Sequence, residues 1–371
     1  MWKHKARDMK REPQWRREDV IVFPELRALQ VDMLSASPEI TALCLGRKWD
    51  LGDTPLPPGA IELSTFRALF RLWSFPPAVL EVPEPLFVRE LPRSLLLAAG
   101  ARLGGLLSGR PVVVVTYAIE NNDLQSLVGL PGIRGRWVAR AIRPILALLV
   151  AIIYGRVIFG SPSAQRAYAR VAPRFASKGT LLLELPAVDG RAHLERGQTV
   201  AFVGELANRK GLPLLMEAWP LVERAVPEAR LVIAGAGPLE VDVRDWCASW
   251  SSRSFLGMVP HDEVPNLLAG ARVLAAPSIR EGRWREQIGR PISEALAVGV
   301  TVVTTTETGL ADWLRNEGHV VLSASPSATE LADGVIRALR EPLDPSVVTR
   351  SLPSRHGRYS AHDALHPAGA Q

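Results

Sequence analysis

The chain alternates short apolar runs with stretches whose apolar positions recur every three or four residues. Runs at 20–23 (VIVF), 40–45 (ITALCL), 79–82 (VLEV), 111–116 (PVVVVT), 156–159 (RVIF) and 180–185 (TLLLEL) have the length and branching of buried strands. Helical stretches intervene at 25–35 and 91–107. After a polar link near 189–198 the rhythm restarts, with strands at 199–203, 230–234, 255–256, 272–276, 301–305 and 320–322. The helices predicted between and after them cover 211–225, 239–250, 261–269, 310–316 and 327–339. Continuous apolar strands separated by helices predict mainly parallel sheets covered on both faces. The repetition predicts two Rossmann-like domains, at 19–190 and 191–340. Residues 341–371, rich in Pro, Ser and His, read as a weakly ordered tail.

The segment between the strands 272–276 and 301–305 carries the densest chemistry, reading PSIREGRWREQIGRPISEALAVG. Gly289 permits a tight backbone approach, Pro291 suits the first turn of a helix and Gly299 suits its end, which predicts a helix over 291–298. Ile292, Ala295 and Leu296 share its buried face. Glu294 then stands on the first turn beside unpaired backbone N–H groups, and Glu286 precedes it with seven residues between. Strand–loop–helix–strand units hold ligands at the carboxyl ends of parallel strands. Two carboxylates that accept from hydroxyls, beside N–H groups that hold anionic oxygens, suit a ligand carrying both sugar and phosphate. The alternative is that Glu294 offsets the helix dipole and Glu286 is merely solvated.

Composition narrows the class. With 371 residues, 47% hydrophobic and 22% charged, the chain is long enough for two cores. Its formal net charge of +6 is concentrated in residues 1–18, where seven Lys/Arg face three Asp/Glu. That leader reads as a disordered, solvated tail, with contact to anionic lipid headgroups as the sharper option. No nucleic acid is expected as a partner. Cys44 and Cys247 indicate no disulfide framework, which fits a reducing, cytoplasmic compartment. Neither they nor the seven histidines are read as a metal-binding pattern, and no metal is expected. The longest apolar segment, 144–154 (PILALLVAIIY), is too short to span a bilayer. It follows Arg136, Arg140 and Arg143. A buried core helix is expected there, with a helix lying on the inner face of a membrane as the alternative.

The stretch EQIGRPISEALAVG resembles the glutamate-x7-glutamate signature of retaining glycosyltransferase family 4, whose enzymes have the two-domain GT-B fold, an α/β architecture with two mainly parallel sheets facing across a cleft. The resemblance extends over about 75–340 and is strongest after Thr199. It implies that Glu294 binds the ribose of a nucleoside-diphosphate sugar and Glu286 the hydroxyls of the transferred sugar, with Gln287, Ile288 and Gly289 offering backbone N–H groups. GELANRKG at 204–211 resembles the segment in which an arginine and a lysine grip the diphosphate. Lys210 matches the lysine. Glu205 occupies the arginine position, leaving Arg209 as a substitute charge. Gly235 and Gly237 match a loop bordering the nucleotide. Met258 and Val259 match the segment that meets the base, with ordinary core packing as the other reading of Met258.

The first domain departs further from the family. No glycine-rich loop follows its first strand, and Ala118 occupies the slot of a histidine near the reacting sugar. Glu120 and Asn121, at a strand end, either orient a sugar or acceptor hydroxyl or cap the next helix. The expectation is a hexosyltransferase-type enzyme with Glu286, Lys210 and Glu120 at its chemistry. It would pass a sugar from a nucleotide-sugar to a glycan or lipid-linked acceptor, retain configuration and need no cofactor. The departures favour the alternative of a GT-B protein that binds a nucleotide-sugar or glycan and serves a partner enzyme.

Overall fold

The structure, a computed structural model, describes residues 19–35, 40–48, 55–190 and 196–367. The leader at 1–18 lies outside the described residues. The first sheet contains β1 (Val20–Phe23), β2 (Thr41–Cys44), β3 (Ala60–Glu62), β4 (Val79–Glu81), β5 (Val113–Ala118), β6 (Arg156–Phe159) and β7 (Thr180–Leu181). The second contains β8 (Thr199–Val203), β9 (Arg230–Ala234), β10 (Arg253–Gly257), β11 (Val273–Ala276), β12 (Thr301–Thr305) and β13 (Val320–Leu322). Their orders are β3-β2-β1-β4-β5-β6-β7 and β10-β9-β8-β11-β12-β13. All neighbouring pairs are parallel, with Val273 of β11 opposite both Thr301 and Val200. In each sheet the order reverses between the first strand and its later neighbour, β1/β4 and β8/β11, and the loops leaving those strands diverge to leave a crevice.

Strand periodicity explains why these runs are apolar without interruption. Val200 and Phe202 of β8 enter one core with Trp219, while Ala201 between them enters the opposite core with Ile292 and Leu296. In β1, Val20 and Val22 likewise face one core and Ile21 and Phe23 the other.

The weakly ordered tail expected at 341–371 is corrected by two helices, Pro345–Arg350 and Gly357–Leu365. The first packs Val348 into the core beneath the second sheet. The second returns to the first sheet and sets Ala361 and Leu365 against Val79, Val115 and Ile158. Gly357 makes that return feasible, because a Cβ there would stand 1.8 Å from the Leu183 carbonyl oxygen. Polar contacts hold the helix as well. Arg358 donates to Glu81 Oε1 at 3.1 Å, and His366 lies 3.1 Å from Glu81 Oε2 and 3.0 Å from Asp19 Oδ2. Helices of only six and nine residues give a weak local signal, and the Glu81 partner of Arg358 lies about 280 residues away in sequence.

The apolar run at 144–154 also differs from expectation. It is the second half of a 22-residue helix, Gly132–Ile153, that buries Leu146 and Val150 but leaves Ile145, Leu148 and Ile152 about 60% exposed. No helix among the described residues is long and apolar enough to cross a membrane.

Candidate active site

A cavity of about 1030 Å³ lies between the two sheets and is lined from the first by Glu120, Asn122 and Glu184 and from the second by Trp284, Glu286, Gln287 and Glu294. The loop after β11 forms one wall. Helix Arg290–Ala297 starts one residue earlier than predicted, behind an N-cap at Gly289, whose φ of +89° is open to glycine with little strain. No side chain caps that helix, so its first N–H groups remain available as donors at the cavity edge.

Glu286 is the centre of the polar network. Its Oε2 accepts from Lys210 Nζ at 2.5 Å and from Ser278 Oγ at 3.1 Å. Lys210 also stands 4.9 Å above the Trp284 ring. This joins the loop after β8 to the loop after β11. Arg209 does not supply a free charge: it is tied to Glu205 and stacks 4.5 Å from the same ring. The carboxylate at the family's arginine position therefore neutralises the arginine four residues on.

Glu294 is the fifth residue of helix Arg290–Ala297, just past the first turn on which it was expected, because the helix begins earlier than predicted; it accepts from Arg290 Nε at 3.1 Å, with His261 Nδ1 3.4 Å away. Burial raises its carboxyl pKa to about 6 against the opposing pull of Arg290. An ionised carboxylate accepts from hydroxyls more strongly than the protonated acid. On the role that the family resemblance implies for Glu294, nucleotide-sugar affinity is expected to fall several-fold as pH drops from 7.5 to 5, and in Glu294→Gln to be weak at both; calorimetric titration across that range checks it.

Neither Glu120 nor Asn121 caps the next helix. Asp123 caps helix Leu124–Val128, accepting from Ser126 N at 2.8 Å. Glu120 instead bridges the two halves: Oε1 accepts from Asn122 Nδ2 at 2.9 Å and Oε2 from Gln287 Nε2 at 3.0 Å. Asn121 Nδ2 donates to the Glu286 carbonyl at 2.8 Å, and its buried Oδ1 has no hydrogen-bond partner. Asn121 does not line the cavity, so its bond to the Glu286 carbonyl positions the loop rather than presenting an acceptor to a ligand. Arg285 donates to the Asn121 carbonyl at 2.9 Å, and Arg280 reaches Asn122 at 3.1 Å, so loop 278–289 is docked onto the loop that leaves β5 of the first sheet.

The remaining predicted residues are placed as follows. Ile288 buries its side chain in the core and offers its carbonyl to Thr308 Oγ1 at 2.8 Å. Gly235 and Gly237 serve close backbone approach, since Cβ atoms there would meet the Gly204 and Leu206 carbonyl oxygens at 1.8 and 2.6 Å. Met258 is 68% exposed, which excludes the core-packing reading. Val259 is half-buried. Neither lines the cavity. Ala118 is fully buried.

Sequence reasoning missed Glu84. This buried carboxyl accepts from the N–H groups of Ile119 and Glu120 at 3.0 and 3.1 Å and from Tyr168 Oη at 2.9 Å, shaping the loop that carries Glu120. Burial pushes its pKa up to about 7. A glutamate in the PEP triplet directly after a strand was the available signal. Sequence reasoning also missed a His-x-x-x-His pair. Among the described residues, Glu81, His362 and His366 form the one group with donor atoms arranged for a metal, within 4.8 Å of one another. The charges of Glu81 and Asp19 are already met by Arg358 and His366, so the cluster is explained as the buried ion network that holds helix Gly357–Leu365.

Residues 197–341 match the family described as glycosyl transferases group 1. Over 157 residues the chain is 27% identical to the phosphatidylinositol N-acetylglucosaminyltransferase gpi3 subunit of Schizosaccharomyces pombe, covering 42% of this chain and 33% of that one. Over 147 residues it is 31% identical to a GDP-mannose-dependent monoacylated alpha-(1-6)-phosphatidylinositol monomannoside mannosyltransferase of Corynebacterium glutamicum, covering 39% of this chain and 38% of that one. The matched segment thus spans about a third of these curated relatives' length. In three dimensions the likeness is wider. Anabaena Alr3699/HepE in complex with UDP-glucose superposes with a TM-score of 0.60 at 12% identity, covering 93% of this chain and 94% of that one. The lipopolysaccharide glycosyltransferase WaaG gives 0.60 at 15%, covering 94% and 100%.

Proposed function

With residues 197–341 belonging to the glycosyl transferases group 1 family and the two sheets arranged in the GT-B fold, we propose that the protein is a retaining glycosyltransferase that moves a hexose-type sugar from a nucleoside-diphosphate sugar to a glycan or lipid-linked acceptor. The observation that carries this reading is the convergence of Lys210, Glu286 and Glu294 around the uncapped start of helix Arg290–Ala297, at the β8/β11 reversal.

Each group has a part. Glu294 accepts from ribose hydroxyls, and Glu286 orients the transferred sugar. As the glycosidic bond breaks, negative charge grows on the leaving diphosphate. Lys210 and the helix-end N–H groups meet it, and they act more strongly in a cleft from which water is excluded. Glu286 holds Lys210 in position before the donor arrives. Glu120, fixed by Gln287 and Asn122, faces the cavity from the acceptor side. That HepE is bound to UDP-glucose and that the C. glutamicum relative is named for a phosphatidylinositol-linked acceptor support, for this chain, a nucleotide-sugar donor and an acceptor carried on lipid.

The test is release of UDP or GDP from a panel of nucleotide-sugars, with and without glycan and lipid-linked acceptors, and anomeric analysis of the product by NMR. Turnover with retained configuration is expected. Donor binding by calorimetry with no turnover on any acceptor would select the non-catalytic alternative, which the Glu205–Arg209 pairing and Ala118 favour.

A further inference from the structure

The outer side of the first sheet exposes apolar side chains on three neighbouring helices, Thr65–Ser74, Leu91–Leu107 and Gly132–Ile153. On the first, Phe66, Phe70 and Trp73 recur at helical spacing and are 79%, 68% and 43% exposed. On the second, Leu106 and Leu107 are 76% and 69% exposed. The third buries only Gly135, Ala139, Leu146 and Val150, a narrow stripe for a helix of 22 residues. These faces are continuous. A Cβ on Gly104 would stand 2.2 Å from the Trp73 carbonyl oxygen, and Arg102 donates to the Ile153 carbonyl at 3.3 Å, drawing the three helix ends together. Monomeric proteins seldom leave so many large apolar side chains uncovered in one place.

The charge on the same helices is one-sided. They contain eight arginines and no Asp or Glu; Arg93 is paired with Glu90 and Arg102 is held by the Ile153 carbonyl, while Arg134, Arg136, Arg140 and Arg143 line the third helix. Arg140 lies 5.9 Å from the Trp137 ring, an arrangement suited to a boundary between an apolar layer and anionic groups. This pattern decides the occupant. A second copy would set arginines against arginines, and the chain's own residues 1–18, with seven Lys/Arg against three Asp/Glu, would be repelled as well. An anionic bilayer supplies both acyl chains for the aromatic and leucine side chains and phosphates for the arginines.

We propose that the helices Thr65–Ser74, Leu91–Leu107 and Gly132–Ile153 form a membrane-docking face that lies flat on an anionic lipid surface. Helix Gly132–Ile153 is about 33 Å long at 1.5 Å per residue. Its start lies near the cleft: a Cβ on Gly129 would stand 1.7 Å from the Arg283 guanidinium, on the loop that carries Glu286. Docking by this face leaves the start of that helix, which adjoins loop 278–289, at one end of the lipid-bound surface. The consequence for a lipid-borne acceptor rests on the transferase reading; the docking does not.

The experiment is flotation of the full chain with vesicles of phosphatidylcholine alone or with 30 mole percent, roughly, of phosphatidylglycerol, in low salt and in about 0.5 M salt. Strong recovery with phosphatidylglycerol and at least ~10-fold weaker partition without it are expected, as is a ~10-fold loss in the triple variant Phe66→Ser, Phe70→Ser, Leu106→Ser. Arg136→Glu with Arg140→Glu is a second variant that alters no buried side chain, and it should lose binding chiefly at low salt. Equal recovery on both vesicle types, or wild-type recovery of both variants, overturns the proposal. So does a concentration-dependent oligomer that the triple variant abolishes, because the face would then serve protein contact. Vesicle recovery needs no turnover, so its failure is separable from failure of the transferase reading.

Discussion

Lys210→Ala is expected to lower transfer by roughly 100- to 1000-fold, the range seen when one preorganised stabiliser of developing charge is removed. The loss should appear mainly in kcat, because the charge it meets is greatest when the sugar–diphosphate bond is breaking. Glu286→Ala should fall comparably, since Lys210 is held by that carboxylate at 2.5 Å and loses its position with it. Arg209→Ala is the control. Its guanidinium is already committed to Glu205 and the Trp284 ring, so a change of only a few-fold is expected. Steady-state rates for the three variants, with melting temperatures to establish folding, check the ordering. Equal activity in Lys210→Ala and wild type would remove the assigned site.

The second large effect concerns stability. Glu81 is buried, and its carboxyl is held far below the ordinary range because Arg358, His362 and His366 outweigh the burial that opposes its ionisation. His366→Ala would leave that charge short of a partner, at a cost of about 3–5 kcal/mol, which lowers the melting temperature by roughly 5–15 °C. The effect has a pH signature. Burial alone would lower the His366 pKa, but Asp19 and Glu81 raise it from 6.5 to about 9. Its contribution is therefore complete below about 6.5 and lost as pH rises through 9, while that of Glu81 is complete above about 4.5 and lost on acidification. His362 and Arg358 are the other charged or titratable groups facing the pair from the same helix. The melting difference between wild type and His366→Ala should be largest near pH 5–6.5 and shrink by pH 10; a constant difference would reject the assignment.

What was legible in the sequence is what depends on neighbours close along the chain. The apolar strands announced two parallel sheets because strands covered on both faces need no polar alternation, as β8 and β12 show. Glu286, Gly289 and Glu294 were legible because the loop, the helix start and the residues that follow it lie within nine positions. The remainder depends on partners distant in sequence. Glu120 was named, but its bond to Gln287 spans 167 residues, and Glu84 acts through backbone groups 35 residues away. Arg209 was expected to face the ligand, because nothing in the pattern shows which way a side chain turns between Glu205 and Trp284. The 144–154 run was expected in a core because its composition is that of a core; only the absence of packing on its outer side distinguishes it.

The return of helix Gly357–Leu365 to the first sheet also constrains synthesis. Strands β4, β5 and β6 are complete long before residues 357–365 leave the ribosome, yet Val79, Val115 and Ile158 stay uncovered until then. The half of the molecule made first is thus finished last. Nascent chains stalled before residue 357 should engage chaperones through that bare strand surface, while β8–β13 can already be closed.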